Sequence, residues 1–216
     1  MDIRQEIRKL VPAGALGLFG IERTSAEPLG DADLTVLFTD IEDYTGLTDR
    51  LGDRAARELV LVHDRIVRAA LADTGGREIK HTGDGIMACF ASASRAIESA
   101  LSIQATSHAW TLTSAQPAPL RIAVGMNAGA PIVDGGDLFG TVVNVAARIT
   151  DCAAGGQVLV SDVVRLLAAG KGFQFRHHGT RCLDGMAEEV PLYEVVWQED
   201  ARSADASDER ARTAAA

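Results

Sequence analysis

Leu34-Thr-Val-Leu-Phe-Thr-Asp40-Ile-Glu-Asp-Tyr-Thr45 decides the reading of this chain. An unbroken apolar run rich in β-branched residues, ended abruptly by acids, predicts a buried strand. Asp40 falls where the strand stops, so its carboxylate is expected at a sheet edge. Glu42, Asp43 and Thr45 favour a helix start, and a helix beginning there would offer unpaired backbone N–H groups to an anion. A carboxylate for a metal beside N–H groups for phosphates makes a nucleotide–metal site. The plainer reading of a lone Asp at a strand end is a helix cap. What weighs against the plainer reading is a second acid, Asp84, in Gly83-Asp84-Gly85 between two short apolar runs.

Working outward, Leu59, Val62, Ile66 and Ala70 recur at helical spacing and predict a helix over 51–74, closed by Gly75-Gly76. Strands are expected over 77–82 and 86–90, joined as a hairpin. Ser92 or Ser94 then caps a helix to about Ala109, and a strand follows over 120–129. A turn at 134–137, a helix over 141–152, a strand at 158–160 and a helix over 162–169 come next. Strands near 173–175 and 192–196 finish the pattern. The order β-α-β-β-α-β with C-terminal additions predicts an α+β, ferredoxin-like sandwich. The expected organisation is an N-terminal segment and linker over 1–30, one catalytic domain over 31–197, and a disordered tail over 198–216, where almost nothing apolar is large enough to dock.

A length of 216 residues allows one sizeable core, and 47% hydrophobic with 24% charged residues is ordinary for a globular chain. The net charge of −9 and the lack of a basic run argue against nucleic acid as a partner. An acidic protein that binds a polyphosphate needs a metal to neutralise it, which suits paired aspartates. Cys89, Cys152 and Cys182 are odd in number and lack CxxC spacing, so they read as reduced thiols in a cytoplasmic protein. No apolar run reaches the roughly 18 residues that span a membrane. Arg4, Arg8 and Lys9 before the apolar stretch 10–21 have the outline of a signal peptide, but Asp2, Glu6, Pro12, Gly14, Gly17 and Gly20 break it.

Further polar residues stand where chemistry could use them. Asp40 and Asp84 would meet if the first strand lies beside the hairpin. Two carboxylates so placed can hold two divalent ions about 4 Å apart, the arrangement for phosphoryl or nucleotidyl transfer. Lys80, on the strand entering the hairpin, is one of three lysines in a chain that otherwise uses arginine, which fits a need for a compact donor. Asn144 and Arg148 share one helix face in an otherwise small and apolar run, and Asp137 precedes Leu138-Phe139-Gly140. Taken singly, each has a bland alternative as a turn residue, a solvated strand position or an exposed helix stripe.

Together, Phe38-Thr-Asp-Ile-Glu-Asp-Tyr-Thr45, Ile79-Lys-His-Thr-Gly-Asp-Gly-Ile-Met87, Val124-Gly-Met-Asn-Ala-Gly129 and Asp137-Leu-Phe-Gly-Thr-Val-Val-Asn-Val-Ala-Ala-Arg-Ile149 resemble the catalytic domain of class III nucleotidyl cyclases, in their bacterial branch. The likeness runs from about Leu34 to Val196. It implies an antiparallel homodimer, with ATP as substrate and two divalent cations, Mg²⁺ or Mn²⁺, as cofactors. Asp40 and Asp84, with Ile41, would match the metal positions, and Ile41 and Thr45 would also contact substrate. Lys80 and Asp137 would match the pair that reads the purine, Asn144 the residue that orients the ribose, and Arg148 the arginine on the reacting phosphate. The resemblance further implies that the metal acids of one subunit work with the other four residues of its partner.

The resemblance is broken at two points. Many relatives carry glycine where Asp43 stands, and a lysine in a late segment where this chain has Leu183-Asp184-Gly185, with Arg181 the nearest basic residue. Both changes predict modest affinity or slow turnover. A donor at Lys80 with an acceptor at Asp137 suits the N1 and N6 edge of adenine and mismatches guanine, so ATP is expected over GTP.

Overall fold

β1 (Leu34–Ile41) is an inner strand of a seven-stranded sheet, and its register sets everything that follows. The structure is a computed structural model that describes residues 32–115, 118–183 and 189–197. The expected N-terminal segment and tail, like Asp184 and Gly185, lie outside the described residues.

After β1 come α1 (Tyr44–Leu51), α2 (Asp53–Thr74), β2 (Arg77–His81), β3 (Ile86–Phe90), α3 (Ala93–Thr113) and β4 (Ile122–Gly129). β1 pairs antiparallel with β3 on one side and β4 on the other, and β3 pairs antiparallel with β2. The order β2-β3-β1-β4 is the ferredoxin-like arrangement expected from the sequence. The additions are the β5 (Ile132–Asp134) and β6 (Asp137–Phe139) hairpin, α4 (Thr141–Asp151), β7 (Val158–Ser161), α5 (Asp162–Leu167), β8 (Phe175–Cys182) and β9 (Glu189–Val195). β7 joins parallel to β4 after the α4 crossover, and β9 and β8 extend that edge.

The apolar run of β1 is continuous because helices cover both sheet faces. Side chains alternate along a strand. Leu37 and Ile41 therefore pack with α2 and α3, beside Leu59, Val67, Ile97 and Ile103. Leu34 and Val36 point the other way, onto Leu138, Val142, Val143 and Ala146 of β6 and α4, with Phe38 partly buried against them. Asp40 is next in that even-numbered row, so the strand delivers it to the α4 face.

Three boundaries differ from expectation. The helix expected over 51–74 is α2 and starts two residues later, at Asp53, because Gly52 takes φ 81°, a value open to glycine, at which α1 stops and α2 begins. α3 continues to Thr113 because Trp110, one turn earlier, is buried. The late strand starts at Phe175 and runs to Cys182, where alternation is weak because much of it faces solvent. Among the described residues no helix is long and apolar enough to cross a membrane.

Candidate active site

The two aspartates meet as expected. Asp40 is the penultimate residue of β1, and Asp84 lies in the β2–β3 loop, where Thr82 N–H bonds to the Gly85 carbonyl at 2.9 Å. Gly85 allows this closeness, since a methyl there would collide with the Thr39 carbonyl. The Asp40 carboxyl is pushed up to about 6. Crowding by protein is the largest cause, followed by the charge of Asp84, a hydrogen bond with it, and the charge of Asp151, against a donated bond from the Ile41 amide. Two acids forced together in this way hold an excess of negative charge that a divalent cation would relieve. The donor set is hard oxygen, and two carboxylates completed by phosphate and water oxygens are what Mg²⁺ ordinarily takes. The residues fit the ions. Among the described residues no group of three or more His, Cys, Asp or Glu side chains gathers to hold a metal, so at this site the two carboxylates would need oxygens from substrate and water.

Ile41, expected beside the metals and the substrate, has its side chain in the core at 1% exposure, so only its main chain can serve either. Thr45 is exposed in the first turn of α1.

Lys80 and Asp137 also meet. Lys80 Nζ lies 2.7 Å from Asp137 Oδ2, and the ammonium sits 5.5 Å from the centre of the Phe139 ring. Its hydrogen bond to Lys80 holds the Asp137 carboxyl below the usual range, helped by the Leu138 amide. The ladder shifts register between Glu78 and Lys80, a bulge that the sequence pattern did not disclose. The shift sets Lys80 opposite Met87, whose side chain packs on the α4 face. The bulge thus turns the lysine toward the same side of the sheet as Asp40.

Asn144 and Arg148 are both exposed, one turn apart on α4, while Val142, Val145, Ala146 and Ile149 face inward. Arg148 pairs with Asp151 at 3.0 Å. The site residues therefore fall into three groups: Asp40 with Asp84, Lys80 with Asp137, and Asn144 with Arg148. Among the described residues no hydrogen bond or ion pair joins one group to another.

Sequence reasoning missed Asp151, whose charge reaches Asp40 from the end of α4; nothing in spacing marks it. Glu42, read as a helix-start residue, is a strut: it accepts from Gly155 N–H at 2.8 Å and pairs with Arg121 at 2.9 Å. Asp43 caps α1 at φ 53°, among the described residues the lone non-glycine at positive φ, and pairs with Arg50 at 3.0 Å. That conformation explains why glycine suits the position, and Asp is among the residues that tolerate it. Arg181 lies exposed on β8, while the segment it was matched with begins the stretch outside the described residues.

The family model described as the adenylate and guanylate cyclase catalytic domain matches residues 28–196. The adenylate cyclase of Streptomyces coelicolor is 29% identical over 192 residues, covering 84% of this chain and 49% of that protein. The pH-sensitive adenylate cyclase of Mycobacterium tuberculosis is 30% identical over 184 residues, covering 81% and 43%. The chain thus spans about half the length of the curated relatives it matches. Among solved structures, an adenylate/guanylate cyclase/hydrolase from Silicibacter pomeroyi superposes with a TM-score of 0.69 at 27% identity, covering 76% of this chain and 96% of that one. The adenylyl cyclase from P. aeruginosa superposes with a TM-score of 0.64 at 23% identity, covering 78% and 95%, a likeness of fold.

Proposed function

This chain belongs to the adenylate and guanylate cyclase catalytic domain family, and from that premise we propose that it is an adenylyl cyclase converting ATP to 3′,5′-cyclic AMP and pyrophosphate at two sites shared across an antiparallel homodimer. The observation that carries the reading is the gathering of a carboxylate pair, Asp40 with Asp84, and a donor–acceptor pair, Lys80 with Asp137, on one side of one sheet.

Asp40, Asp84 and the main chain at Ile41 would hold two divalent cations, Mg²⁺ or Mn²⁺. Bound there, such ions make the ribose 3′-hydroxyl easier to deprotonate and neutralise the departing pyrophosphate. In the reaction the 3′-oxygen forms a bond to the α-phosphorus as the bond to the β-phosphate bridging oxygen breaks. The hydroxyl proton passes to solvent, and no covalent protein intermediate is needed. Asn144 from the partner would orient the ribose, a gain in positioning. Arg148 would face the charge that builds on the α-phosphate, where a preorganised donor counts most. To do so it must exchange Asp151 for substrate, an inexpensive change because exposed ion pairs contribute up to only about 1 kcal/mol. Lys80 donating to adenine N1 and Asp137 accepting from N6 would select ATP over GTP. A site that consumes ATP and three free thiols among the described residues both fit a cytoplasmic protein.

The test is to incubate the purified protein with ATP or GTP, in Mg²⁺ and separately in Mn²⁺, and to quantify cyclic nucleotides by mass. Cyclic AMP in large excess over cyclic GMP is expected. Mainly cyclic GMP would overturn the Lys80–Asp137 assignment and leave the reaction standing. No product from folded dimer with either metal would replace the catalytic reading by a nucleotide-binding module.

A further inference from the structure

The loop that carries Asp84 needs something to hold it. Asp40 and Asp84 repel when both are ionised, and the loop 82–85 lies beyond the last ladder pair of β2 and β3, His81 with Ile86. The sheet alone does not fix it against β1.

A buried chain of hydrogen bonds supplies the hold. Its centre is His63-Asp64 in the middle of α2, with His63 fully buried and Asp64 6% exposed. His63 Nε2 lies 2.9 Å from Thr39 Oγ1, and Thr39 is the residue before Asp40. His63 Nδ1 lies 3.1 Å from Asp64 Oδ1, and the same oxygen lies 2.9 Å from His81 Nε2. His81 Nδ1 then accepts from the Gly83 amide at 3.0 Å, one residue before Asp84. Burial works against the Asp64 charge, but hydrogen bonds from His63 and His81 and the charges of His81 and Arg68 outweigh it and hold the carboxyl below its usual range.

One placement of the hydrogens satisfies every atom. Gly83 N–H donates to His81 Nδ1, and His81 Nε2–H and His63 Nδ1–H both donate to Asp64. Thr39 O–H donates to His63 Nε2, while the Ile86 N–H donates to Thr39 Oγ1 at 3.0 Å. Two arms of donors converging on the Asp64 carboxylate leave neither ring free to flip and no member unpaired, which is when a buried polar network stiffens its surroundings. Arg68 closes it from outside, 3.4 Å from Asp64 Oδ2 and 2.7 Å from Glu78 of β2.

We propose that His63, Asp64 and His81 are positioning residues for the metal-binding aspartates, fixing Thr39 beside Asp40 and Gly83 beside Asp84 so that the two carboxylates are held ready for divalent cations. This rests on the reading of Asp40 and Asp84 as metal ligands. The three residues touch neither metal nor substrate, and they act through the backbone that carries the ligands.

The experiment measures Mn²⁺ affinity by electron paramagnetic resonance, with a non-cyclisable ATP analogue present, together with the melting temperature. Thr39→Val removes the hydroxyl and keeps the shape, Thr39→Ser keeps the hydroxyl, and His81→Phe cuts the chain at its partly exposed end. Thr39→Val and His81→Phe should weaken Mn²⁺ binding by about tenfold, with Thr39→Ser within about twofold of the parent. Lower melting temperatures with Mn²⁺ affinity unchanged in both variants would reduce the network to a stabilising one and overturn the proposal. Should Thr39→Val fail to fold, His81→Phe decides alone. Asp40→Ala separates the two layers of inference. If it loses Mn²⁺ while Thr39→Val and His81→Phe do not, only the positioning role falls. If it keeps Mn²⁺, the metal reading itself falls and takes the positioning role with it.

Discussion

At the scale of single residues, the site stores a conflict. The Asp40 carboxyl rises from 3.8 to about 6 on folding, so between those values the folded chain holds more protons than the unfolded one. Stability must then fall as pH rises from about 4 to about 6, and the penalty stays in place above that. Asp84→Asn removes a leading cause after crowding. It should raise the melting temperature at pH 7.5 by about 2–4 °C, if the relieved repulsion is about 1 kcal/mol. The gain should shrink toward pH 5, while cyclic nucleotide formation is lost. Melting curves at the two pH values check this, and a gain that is equal at both would break the link to Asp40. The pair proposed to read the base makes a second prediction. Lys80→Glu with Asp137→Gly removes the ammonium and the acceptor together, so the ratio of kcat/KM for ATP to that for GTP should fall by about tenfold or more. An unchanged ratio would show that Lys80 and Asp137 do not read the base.

At the scale of elements, α4 lies so close to β4 that one hydrogen decides the spacing. A methyl on Gly125 would collide with the Thr150 amide and hydroxyl, and Thr150 is buried near the end of α4. Since part of that clash is with backbone, Gly125→Ala must lift the helix, costing about 1–3 kcal/mol. It should also lower kcat, because Asn144 and Arg148 ride on the displaced element. Thermal melts and steady-state rates test this, and wild-type stability would refute the packing argument. Elements marked by continuous apolar runs or by helical spacing were readable in the sequence: β1, β3, α2, β4 and α4 lie within about two residues of where it puts them. The bulge at β2 was not, because register shifts follow from the fit of two strands and no local residue type declares them. The start of α2 was misplaced by two residues, because a glycine between two helices and one inside a helix look alike until the chain's direction is known. Within the site, the motifs placed the carboxylate pair and the lysine–aspartate pair. The His63-Asp64 dyad was hidden in an apparently ordinary amphipathic helix, since only its partners on β1 and β2 show that it faces inward.

At the scale of the molecule, one chain carries all three groups of the proposed site, and among the described residues no hydrogen bond or ion pair joins one group to another. The arm formed by β5 and β6 sets Ile132 against Phe139, at 65% and 45% exposure, next to Lys80 and Asp137. Apolar residues opposed on a hairpin and open to solvent are what a self-complementary interface would cover. A second copy in antiparallel orientation would close the arm and bring Asn144 and Arg148 of each chain to the aspartates of the other. This has a quantitative consequence. Asp40→Ala leaves Asn144 intact, and Asn144→Ala leaves Asp40 intact. Each homodimer should therefore be inactive, whereas a mixed dimer has one site built from two intact halves. Random exchange gives about half mixed dimers with one good site in two, so mixing equal amounts should restore about a quarter of wild-type activity. Differently tagged chains verify the exchange. Activity that stays at the level of the separate variants, once exchange is shown, would mean that each chain completes its site alone. The openness of α4 and of the arm would then need another cause.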